Sequence, residues 1–405
     1  MTFFLKTNNS FMTILLGILL ALLIFSVIVF FHELGHFSMA KKFGVRVDEF
    51  GIGIPPRAKE VWKDKSGTIY TLNWLPIGGF VKMKGEEMNE SGAHDKDSLS
   101  SKNFWQQSAV ILAGVIMNFF FAFVVFSGLF MIGVEPLGIN TKFPTQTETK
   151  LIPSFQEAVR IGLVKTDGIV LSPLTGSIAQ QSGILENDIL VSIDGKDIMS
   201  PEDMITTVKK STTSMDFTLR GTGGIRTVSV IPKDGKIGSY VGYNIIHIRK
   251  DFRYKYGFFE SIKEGGIETY KESMMTLELL GTLIKRIITP RIPTERTEAV
   301  ESLGGPIAIG NLFVNLLDAK VAFSVILLIA ALISINLGVF NLLPFPALDG
   351  GRFVFLIIHR IVGIFSKKKA LHGKIEQYIH ITGFSLLIIL SIFIAYQDIV
   401  KILLK

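Results

Sequence analysis

Long apolar runs alternate with polar stretches along this chain, and four of the runs are long enough to cross a bilayer. They cover about Phe11–Phe31, Ala109–Ile132, Val321–Phe340 and Ile379–Tyr396, each near the ~20 residues that span a ~30 Å hydrocarbon core as a helix. The second run is interrupted by Asn118, a polar side chain that must find a partner inside the bundle. Between the first two runs, residues 45–85 alternate short β-like stretches with turn residues. Thr68–Trp74 and Phe80–Met83 read as two strands divided by Leu75-Pro-Ile-Gly-Gly. The apolar stretches Gly51-Ile-Gly-Ile-Pro-Pro and Trp74-Leu-Pro-Ile favour a β-hairpin dipping into the membrane face over a soluble sheet, since irregular backbone at that depth survives only beside protein or a water-filled cavity. Residues 86–102 are polar and Ser-rich, as in a mobile loop.

A different pattern follows the second run. Residues 162–234 predict a compact module: a short helix ending at Gly183, a turn at Glu186-Asn187-Asp188, a strand over Ile189–Ile193 and a turn at Asp194-Gly195. A helix over Pro201–Lys210 and strands at Asp216–Arg220 and Thr227–Ile231 complete it. The stretch from Gly176 to Lys196 resembles a PDZ domain, a fold that binds extended peptides at a sheet edge. Beyond it, Phe258, Phe259, Ile262, Ile267 and Tyr270 recur at helical spacing among charges. Two placements stay open for that helix: along the membrane surface, or packed on the module. Ser302-Leu-Gly-Gly-Pro-Ile-Ala-Ile-Gly is a Gly/Pro-broken segment of the kind that lines a cavity.

The expected architecture is a polytopic α-helical membrane protein with four transmembrane helices, a membrane-associated β-hairpin and one inserted extracytoplasmic PDZ domain, hence α+β. Its segments are 1–44, 45–104, 105–135, 162–234, 254–318, 319–352 and 376–400. Composition agrees, with 48% hydrophobic and only 19% charged residues. The net charge of +7 implies no nucleic-acid partner, because the basic residues sit beside apolar segments, where they orient helices. Lys41, Lys42, Arg46, Arg57, Lys59, Lys63 and Lys65 crowd the first loop, and Arg352, Arg360, Lys367, Lys368, Lys369 and Lys374 the third. This bias puts both loops in the cytoplasm, with both termini and the module outside. The first run lacks the strongly basic start of a cleavable signal peptide. Cysteine is absent, so any metal ligands are nitrogen or oxygen.

The chemistry sits at the end of the first run, where His32-Glu-Leu-Gly-His36 follows directly. The i, i+4 spacing puts both imidazoles on one helix face, able to hold one Zn²⁺ per chain, and Glu33 is placed to act as general base on the attacking water. Three ionisable groups in one turn at membrane depth are costly without a metal or a partner. A third ligand is needed. His94, His247, His359, His372 and His380 are candidates, but Asn341-Leu-Leu-Pro-Phe-Pro-Ala-Leu-Asp-Gly-Gly stands out at the matching end of the third run. There Pro344 and Pro346 break the helix, and Asp349 offers an oxygen ligand before Gly350-Gly351.

With these pieces the chain resembles the site-2 protease family of intramembrane zinc metalloproteases, the bacterial RseP-like members in particular. The family's His-Glu-x-x-His falls on His32, Glu33 and His36, and its Asn-x-x-Pro-x-Pro-x-Leu-Asp-Gly on Asn341, Pro344, Pro346, Leu348, Asp349 and Gly350. Its membrane-reentrant β-element resembles the stretch from Pro76 to Glu86. Two departures stand out: one PDZ-like module rather than two, and Gly114-Val-Ile-Met-Asn118 where Gly-Pro-x-x-Asn is usual. The resemblance implies an endopeptidase in a bacterial inner membrane, with a lipid bilayer around it and single-span membrane proteins as substrates. These include anti-sigma-factor-like regulators and remnant signal peptides. Asn341, Pro344, Pro346, Phe80, Val81 and Lys82 are the expected substrate contacts, and the PDZ-like module is a possible binder of a peptide. Three rivals are a tethered protease cutting soluble peptides, a PDZ scaffold with a vestigial metal site, and a zinc transporter. The apolar run ahead of His32, the intact ligand and base set, and the near absence of further acidic or His residues in the other spans, where only His380 falls at the edge of the fourth, argue against them in turn.

Overall fold

A computed structural model describes residues 11–86, 95–140, 147–249, 251–290, 293–365 and 373–403. The expected positions His94, Lys367, Lys368, Lys369 and His372 lie outside these. Along the chain run α1 (Phe11–Lys42), β1 (Val47–Lys63), β2 (Ile69–Met83), α2 (Phe104–Ile132), α3 (Phe155–Arg160), β3 (Val164–Pro173) and α4 (Ile178–Gln181). Next come β4 (Asp188–Ile193), β5 (Lys196–Asp197), α5 (Pro201–Lys210), β6 (Met215–Gly221), β7 (Gly224–Val230) and β8 (Ser239–Ile248). The chain closes with α6 (Phe258–Ile288), α7 (Pro293–Glu301), α8 (Pro306–Asp318), α9 (Phe323–Leu342), α10 (Asp349–Phe365) and α11 (Gly373–Leu403). Two compact units result: residues 1–137, 143–150 and 253–405, and residues 138–142 and 151–252.

Four helices of the first unit, α1, α2, α9 and α11, are long and apolar enough to cross a membrane, and the chain is a membrane protein. Small residues set their contacts. A Cβ on Gly35 of α1 would lie 2.3 Å from the Ala113 carbonyl oxygen of α2, and one on Gly17 would lie 2.5 Å from Val314 of α8. Such close approach is how helices associate in lipid, where burial of apolar surface adds no drive. Helix α2 starts with a capping box, Asn103 and Gln106 bonding each other's backbone N–H. Helix α6 packs on α2, its Gly265 against Ser127. That is a partner neither sequence placement foresaw. The Gly304-Gly305-Pro306 segment begins α8, where Gly305 and Ala308 donate N–H bonds to buried Asp398 of α11 at 2.9 and 3.0 Å.

The β-sheet keeps the two stretches that the sequence suggested and places β1 between them. Residues 69–72 pair with Glu49–Ile52 and, on their other side, with Lys59–Lys63, whereas residues 79–82 pair with the opposite edge of the same Glu49–Ile52, so the chain turns back between them, where Gly78 has φ +76°. Residues 79–83 pair only with 47–52. Val47, Phe50, Val81 and Met83 bury themselves with Ala40 of α1 and Val110 of α2, which ties the sheet to the helix carrying the histidines. The third segment differs as well. Leu343 and Pro344 end α9, and a turn leads into α10, an amphipathic helix in what the sequence suggested was a basic loop.

The second unit is a sheet in the order β7-β6-β4-β3-β8, with β5 on β4. Ile169, Leu171, Leu190, Phe217 and Leu219 of the sheet pack on Ala179, Met204 and Val208 of the helices. Strand β8 lies beyond the stretch 162–234 and pairs with β3 from Val164–Ile248 to Pro173–Ser239.

Candidate metal centre

Because α1 continues unbroken to Lys42, His32 and His36 lie one turn apart, both buried. Their Nε2 atoms stand 3.2 Å from each other. Asp349, the first residue of α10, brings Oδ2 to 3.1 Å from His32 Nε2 and 3.2 Å from His36 Nε2. These three edges form a nearly equilateral triangle. Ligands held tetrahedrally at ~2.0–2.1 Å, the Zn–N and Zn–O distances, stand about 3.3 Å from one another. The triangle therefore fits zinc, and it is the one such group among the described residues.

Protonation makes the same case. His36 Nδ1–H donates to the Val110 carbonyl at 2.8 Å, so the neutral ring presents a bare Nε2 lone pair. Asp349 Oδ2 is buried without a hydrogen-bond partner among the described residues. Lone pairs aimed at one point repel unless a cation or proton sits between them. The other nitrogen of His32 meets Asn118, whose Nδ2 position lies 3.1 Å from His32 Nδ1 while buried Oδ1 lacks a partner among the described residues. Amide oxygen and nitrogen are assigned from their hydrogen bonds. Turning Oδ1 toward an Nδ1–H on His32 gives that oxygen a donor and leaves His32 Nε2 bare, like that of His36.

Glycines let these elements meet. A Cβ on Gly114 of α2 would lie 2.3 Å from His36 Nε2 and 2.7 Å from His32 Cε1. Gly350 and Gly351 are not a flexible hinge after the ligand. A Cβ on the first would lie 2.3 Å from the Leu342 carbonyl oxygen, and on the second 2.1 Å from that of Phe345. Their bareness allows α10 to fold tightly back on the end of α9 and so places Asp349.

A cavity of about 730 Å³ opens beside the triangle, and Glu33, Phe80, Val81 and Asn341 are in its walls with His32, His36 and Asp349. Lys82, Pro344 and Pro346 are not. Lys82 stands opposite Glu49 in the hairpin, and Pro346 packs on Gly383 of α11. His359 and His380, named from the sequence as third-ligand candidates, line the cavity too, away from the triangle's three ligand atoms, and with them Glu376, and Arg352 paired with Glu86, which the sequence did not link to the site. The sequence flagged Asn118 as polar and Gly114 as a departure from a pattern, but showed no link to the histidines. The Val110 carbonyl carries no side-chain signal at all. His247 lies on β8 of the other unit.

Comparison with known proteins agrees with this geometry. The family model described as Peptidase family M50 matches residues 20–390. A Clostridium perfringens protein named "putative zinc metalloprotease" is 31% identical over 387 residues, covering 95% of this chain and 98% of its own length. A protein of the same name from Campylobacter jejuni is 30% identical over 391 residues, covering 95% and 94%. One from Streptococcus pneumoniae serotype 4 is 28% identical over 446 aligned positions, covering 96% and 99%.

Proposed function

The chain belongs to peptidase family M50 and is a zinc metalloprotease of the site-2 protease type, and from that premise we propose that it is an endopeptidase cutting single-span membrane proteins within or near their transmembrane helix. The observation that carries this reading is the continuity of α1: one helix holds the apolar run from Phe11 and, without a break, the histidines whose lone pairs converge with Asp349.

In this reading His32, His36 and Asp349 hold one zinc ion, which when bound acidifies water and polarises a carbonyl. Glu33, in the cavity wall, takes the proton of the attacking water and delivers it to the departing amine nitrogen. A helical substrate must unwind to be cut, and its freed N–H and C=O groups then need partners. Asn341 is one. The edge of residues 79–83 not used by β1 is the other, adding the substrate as a strand with Phe80 and Val81 against its side chains. Replacing Glu33 by Gln tests the mechanism: cleavage of a single-span substrate by purified protein falls ~10²–10⁴-fold while zinc stays bound. Normal turnover would refute the assignment.

The physiological role proposed is regulated intramembrane proteolysis in a bacterial inner membrane, in the RseP-like manner, on anti-sigma-factor-like regulators and remnant signal peptides already trimmed outside. The inserted unit, read as a PDZ domain, excludes untrimmed substrates by size. A recruiting role has one observation in its favour, since β8 ends the sheet order and such an edge takes an added peptide strand. Deleting 151–252, which removes β8 with the unit's other strands and helices, separates the two: untrimmed substrates become cleavable if the unit filters, and cleavage of trimmed ones falls if it recruits.

A further inference from the structure

The turn that delivers Asp349 has an unusual backbone. Pro344 and Pro346 have no N–H, and Phe345 and Leu348 donate theirs within the turn, to Leu343 and Phe345 carbonyls at 2.7 and 3.1 Å. Ala347 is the exception. Its φ of +79° lies in the left-handed region, which an L-residue with a Cβ occupies only when its surroundings hold it there. Its N–H leaves the turn and donates to His380 Nδ1 of α11 at 3.0 Å.

His380 is itself held on several sides. To accept at Nδ1 the neutral ring carries its proton on Nε2, and that atom faces Glu376 Oε1 at 3.9 Å. The other oxygen of Glu376 lies 2.9 Å from His359 Nε2 on α10. The Phe355 ring packs on the imidazole with centroids 5.1 Å apart. One turn further along α11, a Cβ on Gly383 would come within 2.6 Å of Pro346 Cβ and 2.7 Å of its carbonyl oxygen. Helix α11 thus touches the turn at two successive residues just ahead of the carboxylate. Buried side chains behind the ligands of metal sites orient those ligands. The histidines have such support in Val110 and Asn118; Asp349 receives it through its own backbone.

We propose that His380 is a positioning residue of the metal centre: by accepting the Ala347 N–H it holds the left-handed turn that aims the Asp349 carboxylate at His32 and His36. The inference rests on the assignment of Asp349 as the third ligand. It gives α11 a part in the centre although α11 contributes no ligand.

The test measures zinc release to a chelator, with proteolysis alongside, in detergent-purified full-length chain. Asn at this position places an amide oxygen near the site of Nδ1, Gln places it near Nε2, and Leu supplies no acceptor. His380→Leu and His380→Gln should weaken zinc retention by about 10–100-fold, the usual effect of removing such support. His380→Asn should stay within a few-fold of the parent. Adding Ala347→Gly to His380→Leu should recover part of the loss, because glycine takes the positive φ without help. Equal zinc retention in all three single variants, or equal loss in Asn and Leu, would overturn the proposal. If His380→Leu does not fold, the Asn and Gln pair decides it alone. Asp349→Ala is the separate control: full zinc occupancy there defeats the ligand assignment itself, whereas its loss beside an unaffected His380→Leu defeats only the role of His380.

Discussion

Two groups of ionisable side chains lie buried among the helices of the first unit, and they are satisfied in opposite ways. On α6, Glu264, Glu268 and Glu272 recur every fourth residue. Glu264 pairs with Lys150, Glu268 accepts the Lys150 N–H at 2.7 Å, and Glu272 accepts from Thr149. Protonation supplies the rest: burial first, then the charge of Glu268, push the Glu272 carboxyl from the ordinary 4.5 up to about 8. At the histidine cluster the spare nitrogens are bonded away to Val110 and Asn118, and three acceptors remain facing one point. Burial of charge alone does not mark a functional site. Convergence of acceptors with their other contacts already committed does.

The largest expected effect breaks that convergence. Asp349→Ala should empty the centre of zinc and abolish cleavage, since two imidazoles leave the ion under-coordinated and exchangeable; metal analysis after dialysis is the check. Gly114→Val comes next. Its Cβ would meet His36 Nε2 at 2.3 Å, and overpacking of this kind costs ~1–3 kcal/mol, so zinc occupancy and thermal stability should fall together. A variant with unchanged metal content would show that α2 can withdraw from the histidines. Asn118→Leu keeps the volume but removes the bond to His32, and it should weaken zinc binding by about 10–100-fold in a competition titration.

The smallest effect tests the other side of the comparison. Glu272→Gln should leave cleavage and zinc unchanged while altering only the pH dependence of stability. A carboxyl titrating near 8 when folded and near 4.5 when unfolded binds more protons in the folded state between those values, so its contribution to stability is lost as pH rises through that window. The variant's stability, followed by unfolding in detergent from pH 5 to 8, should show a flatter decline than the parent. Loss of activity at constant stability would mean that α6 carries chemistry of its own.

How much of this was legible follows the range of each interaction. His32, Glu33 and His36 could be placed from spacing alone, because one helical turn is local geometry. Asp349 could be named from the Pro-broken segment around it, although its distance to the histidines depends on how α9 turns into α10. The break at Leu75-Pro-Ile-Gly-Gly was legible because proline and glycine turn a chain locally, but that β1 runs between the two stretches it divides rests on pairing with residues roughly 20–30 positions away. Helix α10 was missed because its first residues look like a turn and its basic side chains like a loop.

The sequence by itself determined the four spanning helices, the two imidazoles on one face, the neighbouring base and the absence of thiolate ligands, since each depends on composition or on residues within a turn of one another. Only the tertiary structure decided which nitrogen of each imidazole is bare, because that is set by a carbonyl and an amide of α2 lying 74 and 86 positions away in the chain. It likewise decided that α11 grips the turn before Asp349. The contact joins His380 to a backbone N–H 33 residues away, and a peptide N–H is the same at every non-proline position until the fold aims it.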